Sequence, residues 1–377
     1  MADRIDVDNP FYDNDASASV FGWDFQVNAA IFLFLKYLKQ VDSVKVEGKY
    51  QDIELRLRDD SCIFAQAKSI QNGSNDYRKK KLEDAIISLV KTPMDYEKDK
   101  LLYVSNYLAP IRENNFYNNQ IIELKSVVPD KIEFEKIIDE IIDKLKSDIL
   151  TDENISSLKK HKYSKLVERL ENMNTEDFLV CSIVPYVNTV QPEDKYKVIE
   201  NLIQEKLTYD FNITSSNMIK YVKKILLNWQ STFLLNATTP DWIKEKTMSK
   251  LQLMLQIIAI ISDKETDNLK ELLTFELQDD LEDEYSQYYN QRSFYHDRFE
   301  FINKLFDDFK RYNADIENQK TNQFIREEWK KYYEEYSEFM QYEDDAQEYL
   351  IKRDLLRLLS NSKNIKKIID GVKHDNT

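Results

Sequence analysis

At 377 residues, with 42% hydrophobic and 32% charged side chains, the chain has a globular composition and room for two or three domains, which excludes intrinsic disorder. A net charge of −15 excludes a protein that coats nucleic acid through bulk charge, although it leaves room for a local basic groove. Two unpatterned cysteines, Cys62 and Cys181, and three scattered histidines exclude a disulfide scaffold and a structural zinc site, and they predict a reducing, cytoplasmic location.

The longest uncharged apolar run, Leu251 to Ser262, is too short to span a bilayer, so no membrane association is expected. The first fifteen residues lack a basic segment followed by an apolar one, and no signal peptide is read there. Only four glycines are present, and none falls between Gly73 and Gly371. Such a stretch predicts long helices joined by polar loops.

In chain order, residues 1–20 read as a polar lead-in. Gly22-Trp23-Asp24-Phe25-Gln26 opens an apolar helix to about Gln40, with Lys36 and Lys39 on its wetter side. A strand at Ser43–Glu47 follows, and then two strands with period-two alternation. Ile53, Leu55 and Leu57 alternate with charged residues; Ile63, Ala65 and Ala67 alternate with Cys62, Phe64, Gln66 and Lys68; Asp59-Asp60-Ser61 is the turn. Arg78-Lys79-Lys80-Lys81 leads into a helix at Leu82–Val90, and Lys100–Asn106 reads as a further strand. This order predicts an α+β chain whose first 120 residues are a sheet covered by helices. Residues 121–235 read as a mainly helical connector, including a helix over Ile132–Leu145. Thr175–Val184 is either a short strand or the start of a helix. Residues 236–377 read as an acidic helical domain, with helices at Pro240–Ser262, Asp267–Leu281, Ser293–Arg311, Thr321–Met340 and Ala346–Ser360. Its aromatics, Tyr285, Tyr288, Tyr289, Phe294, Tyr295, Phe299 and Phe301 among them, serve as core or as a docking surface.

The hairpin carries the chemistry. Closing it at Asp59–Ser61 brings its open ends together, so Asp52 meets Gln66 and Lys68. Phosphodiester hydrolysis with Mg2+ (or Mn2+) requires hard oxygen ligands, an attacking water and compensation for phosphate charge. Asp52 offers a carboxylate, Gln66 an amide oxygen, the backbone of Ala67 a carbonyl, and Lys68 an ammonium. Glu47 and Glu54 are candidate additional acids, each also readable as an exposed strand residue. Arg78, Lys79, Lys80 and Lys81 are candidate DNA-phosphate contacts, or a solvated helix start whose cations oppose the helix dipole.

Asp52 followed by Gln66-Ala67-Lys68 resembles the D…(D/E/Q)xK signature of the PD-(D/E)xK nuclease superfamily. The Gly22–Gln26 opener is similar to the first helix of its Mrr-like and DUF4297-type branches. There Gln26 takes the place that a glutamate holds in the Mrr-like form. Tyr103-Val104-Ser105-Asn106 is similar to the strand after the active site, so the resemblance spans roughly residues 20–110. It implies a restriction-endonuclease-like α/β nuclease domain with a catalytic set of Asp52, Gln66, Lys68 and Gln26, and a double-stranded DNA endonuclease acting as an anti-phage effector. In Lamassu systems such a domain is silent in a complex with an SMC-like ATPase and a further subunit, and it oligomerises when released. Elsewhere it answers to cyclic oligonucleotides. A non-catalytic DNA-binding module and a helical interaction protein are the competing readings. The acidic run Asp279, Asp280, Glu282 and Asp283 is a candidate DNA mimic that restrains the nuclease.

Overall fold

The computed structural model describes residues 17–70, 75–93, 98–106, 121–123, 131–151, 168, 173, 178–182, 195–238, 247–262, 269, 272–273, 297–313, 320–339 and 344–373. The fold is α+β, in two compact units. The first takes in residues 1–34, 44–199 and 236–246, and the second 35–43, 200–235 and 247–377. No described helix is long and apolar enough to cross a membrane.

The first unit is built on strands β1 (Val41–Val46), β2 (Ile53–Leu57), β3 (Cys62–Lys68), β4 (Lys100–Ser105), β5 (Ile121–Glu123) and β6 (Phe178–Ser182), in the order β5-β6-β4-β3-β2-β1. The first three residues of β1 fall in the other unit's sequence. β2 and β3 form the expected antiparallel hairpin, with Ile53 opposite Ala65 and Arg56 opposite Cys62. β4 runs parallel to β3, setting Gln66 against Tyr103 and Lys68 against Ser105. β6 runs parallel to β4, so the ambiguous segment near residue 180 is a strand inside the sheet.

Helix α1 (Ser17–Lys36) begins five residues before the expected Gly22. Residues Phe25 to Leu35 are all buried, the polar Gln26 and Asn28 among them, so this helix is enclosed around its whole circumference rather than along one stripe. Helix α2 (Asn75–Val90) also starts earlier than expected, and the basic run lies inside its first turns instead of preceding it. Leu82, Ile86 and Leu89 of α2 and Ile138, Ile141 and Ile142 of α3 (Lys131–Thr151) pack on Phe64, Leu101, Tyr103 and Phe178 of the sheet.

The second unit is mostly helical. Helix α4 (Lys197–Glu205) runs across the sequence boundary into a π turn at Lys206–Asp210. It is followed by α5 (Met218–Thr238), the short β7 (Thr247–Ser249), α6 (Lys250–Ser262), α7 (Asp297–Asn313), α8 (Thr321–Glu328), α9 (Asp344–Ser360) and α10 (Ser362–Lys373). The expected helix at Pro240–Ser262 is described only from Thr247, where β7 comes first. The expected Thr321–Met340 helix tightens to 3-10 form at Trp329–Tyr332 and Glu334–Phe339. Tyr332 and Tyr336 from those two segments both meet Phe301 edge-on, at 5.8 and 5.7 Å. Phe299 and Phe301 are core residues. Tyr285, Tyr288, Tyr289, Phe294 and Tyr295 lie outside the described residues, as do Asp279, Asp280, Glu282 and Asp283. Arg298 and Asp354 form a buried ion pair, and the Tyr336 hydroxyl donates to the same carboxylate at 2.5 Å.

Candidate active site

Three consecutive strands deliver polar side chains to one end of the sheet. β1 and β2 are joined by a tight link in which Glu47 N donates to Asp52 O (2.8 Å) and Gly48 N to Gln51 O (3.0 Å). That link sets Glu47 beside Asp52. Asp52 lies one step beyond the Ile53–Ala65 pair, opposite Gln66. Its Oδ2 accepts hydrogen bonds from Gln66 Nε2 and from Ala67 N, the latter at 3.0 Å. Gln26, buried on α1, donates through Nε2 to Glu47 Oε1 at 2.7 Å and to Asp52 O at 3.4 Å. One amide therefore bridges the end of β1 and the start of β2.

Glu47 adopts φ 52°, a left-handed backbone that a non-glycine residue takes only when its surroundings impose it. Gly48 beside it does not have positive φ; its role is steric. A Cβ there would come within 2.3 Å of the Glu54 carboxyl carbon. Glu54 uses Oε1 to accept from Tyr50 N (2.7 Å) and Gln51 N (3.3 Å). Of the two candidate extra acids, the fold thus brings Glu47 to Asp52 and assigns Glu54 to holding the link.

Two further amides fix this corner: Gln51, which does not stand out in the sequence, and Asn106, the last residue of the Tyr103–Asn106 stretch. Gln51 is buried and donates to Ser88 O (3.0 Å) and Thr92 Oγ1 (2.5 Å), tying the link to the end of α2. Asn106 closes the other side. Ile70 N donates to its Oδ1 at 2.9 Å, and its Nδ2 donates to Ile70 O at 3.0 Å. Its side chain thus mimics a strand partner just past Lys68. The only sequence signal for Gln51 is an amide near a strand start, whereas Asn106 is marked by the stretch it ends, though not as a clamp on Ile70.

Lys68 is half-buried and has no hydrogen-bond or ion-pair partner among the described residues, yet it is close enough to favour the ionised form of Asp52. Burial outweighs that help. Desolvation, the largest influence, and the nearby Glu47 charge push the Asp52 carboxyl up to about 6, against the lowering effect of Lys68, Ala67 N and Gln66. In the basic run, Lys80 is exposed and Lys81 half-buried on α2, while the side chains of Arg78 and Lys79 lie outside the described residues.

No family model, curated protein or solved structure matches the chain. The chemical meaning of the corner rests on its donors alone. Glu47, Asp52, Gln66 and the Ala67 carbonyl are hard oxygen donors, and two carboxylates at one desolvated corner repel each other unless a cation joins them. Among the described residues, no group of three or more His, Cys, Asp or Glu side chains is placed to hold a metal ion. The donors at the corner are all oxygens, which suits a hard cation rather than a soft one. Mg2+ fits better, because it commonly takes one or two carboxylates and keeps waters or substrate phosphate for its other positions.

Proposed function

We propose that the chain is a metal-dependent endonuclease of double-stranded DNA whose active site is the Glu47–Asp52–Gln66–Lys68 corner. The observation that carries this reading is the meeting of Glu47, Asp52 and Gln66 from three consecutive strands, with the Lys68 ammonium beside them. Asp52, Gln66, the Ala67 carbonyl and Glu47 would hold Mg2+ (or Mn2+), which when bound polarises the phosphate and acidifies a water. Gln26 orients Glu47 by donating to Oε1, leaving that carboxylate's other oxygen available. Lys68 offsets charge on the scissile phosphate. Arg78, Lys79, Lys80 and Lys81 are proposed to contact neighbouring phosphates. On the family resemblance, the nuclease is an anti-phage effector of the Lamassu type. It would be held silent by an SMC-like ATPase and a further subunit that dock on the helical second unit, and it would be active as a homo-oligomer.

The shortage of acids at the corner favours one competing reading, a domain that binds DNA without cutting it. Supercoiled plasmid incubated with the purified chain separates the two. Cleavage with Mg2+ or Mn2+, abolished by EDTA and reduced about 100-fold or more by either Asp52→Ala or Lys68→Ala, is the expected result. Salt-sensitive binding with no cleavage under either metal would establish the binding module, and cleavage surviving both substitutions would place the active site elsewhere.

A further inference from the structure

Helix α5 (Met218–Thr238) is apolar on two faces, and only one of them is buried. Tyr221, Val222, Ile225, Leu226, Trp229 and Phe233 supply the buried face. On the other, Ile219 is 69% exposed, Leu227 68%, Leu234 48% and Leu235 64%. A helix that is hydrophobic all round is ordinarily enclosed, and a surface helix ordinarily turns polar side chains outward. A single exposed leucine is unremarkable in energy, but four large aliphatic side chains along one helix are not explained by the core. Ile219, Lys223, Leu227 and Leu234 stand at i, i+4, i+8 and i+15, the spacing of a seam that meets a second helix. All of these residues lie within the second unit.

The charge of the helix is as one-sided as its exposed apolar surface. Its 21 residues include lysines and no aspartate or glutamate, in a chain of net charge −15. Lys220 and Lys223 are exposed, and neither enters a hydrogen bond or ion pair among the described residues. Lys220 lies in the first turn, where the helix dipole opposes a cation. This combination selects among occupants. A second copy pairing through the same helix would bring no carboxylate, because α5 has none. Duplex DNA would answer the lysines and leave the aliphatic side chains without a partner. An anionic bilayer would repel the rest of so acidic a chain. A helix that carries acids alongside its own apolar stripe answers both features at once.

We propose that the exposed face of α5 is a docking surface for an acidic amphipathic helix of a partner protein. Ile219, Leu227, Leu234 and Leu235 cover its apolar stripe, and Lys220 and Lys223 pair with its carboxylates. Because both lysines sit near the start of α5, acids at one end of the partner helix fix the direction in which it runs. The surface is independent of the hairpin corner and of what the partner does.

Fluorescence anisotropy of labelled peptides titrated with the full chain tests this surface. The acidic probe is a synthetic helix of about four heptads with leucine at a and d and glutamate at e and g; the basic probe has lysine in place of glutamate. The acidic probe should bind at one site per chain, more weakly as salt rises, and the basic probe about tenfold more weakly or worse. Leu227→Gln combined with Leu234→Gln should weaken the acidic probe about tenfold or more. Lys220→Glu combined with Lys223→Glu should reverse the preference, so that the basic probe binds the more tightly. All four positions are exposed, and unfolding at the wild-type temperature shows that each variant is folded. No binding of the acidic probe with the chain at about 100 μM would overturn the proposal. So would binding indifferent to both double variants. A dimer in sedimentation that the two glutamine substitutions dissolve would assign the face to a second copy instead, and binding to phosphatidylserine vesicles or duplex DNA lost in the same variants would assign it to those.

Discussion

The Asp52 carboxyl is raised to about 6 in the folded protein against 3.8 for the free side chain, chiefly by desolvation. A folded state that holds its proton more tightly than the unfolded chain is favoured at low pH. The contribution is complete below about pH 4, is lost between there and about 6, and stays lost above. Asp52→Asn should therefore stabilise the metal-free protein at pH 8, by on the order of 2 kcal/mol, and have little effect near pH 4. The difference between the two urea-unfolding curves across that pH range measures it, and a pH-independent difference would contradict it. Because Mg2+ competes with the same proton, it should raise the wild-type unfolding temperature at pH 8 and not at pH 4.5. The neighbouring acids separate by the same logic. Glu47→Gln should cost about tenfold or more in metal affinity, since Glu47 shares Gln26 with the Asp52 backbone. Glu54→Gln retains an acceptor for Tyr50 N and Gln51 N, and should change cleavage less than about twofold. Equal losses in the two variants would remove Glu47 from the site.

At the scale of elements, the end of β3 depends on a side chain that belongs to no strand. Asn106→Ala would leave the buried N–H and C=O of Ile70 unpaired, a loss of roughly 2–4 kcal/mol at about 1–2 for each group. Asn106→Asp retains the acceptor for Ile70 N and should lose roughly half as much. Urea unfolding of both variants checks the order, and a silent Asn106→Ala would show that the clamp contributes nothing. The hairpin that positions Asp52 and Gln66 was legible in the sequence because its period-two alternation and its Asp-Asp-Ser turn agree. The segment now seen as β6 was not, since a five-residue apolar run suits strand and helix equally and only its pairing with β4 decides. Glu47 was legible only as one of two candidate additional acids, each also readable as an exposed strand residue; the choice of Glu47 over Glu54 follows from a left-handed backbone and a pairing across the link to Asp52. Gly371 sits inside α10, where a Cβ would meet the Phe211 ring at 2.8 Å. The absent side chain there makes room for a ring rather than for a turn.

For the whole molecule, the division of the chain decides which pieces can be studied alone. A boundary near 235, read from composition, falls at the end of α5, and the second unit takes in residues 200–235 and 35–43 besides everything from 247 onward. Residues 200–235 supply part of its core. Trp229 on α5 is fully buried and donates through Nε1 to Leu253 O at 3.4 Å, and Thr232 Oγ1 accepts from buried Gln256 at 3.3 Å. Deleting α5 would uncover α6, of whose thirteen residues eleven are buried. An apolar helix stripped on one side exposes more surface than a small helical unit can tolerate and still fold cooperatively. The fragment 236–377 should therefore show no cooperative urea transition and should bind a hydrophobic dye, whereas 200–377 should recover a sigmoidal transition. A sharp transition in the shorter fragment would mean that α6 finds its partners among later helices alone. Until 200–377 or the full chain is used, failure of residues 236–377 to capture an ATPase partner would report on folding rather than on docking.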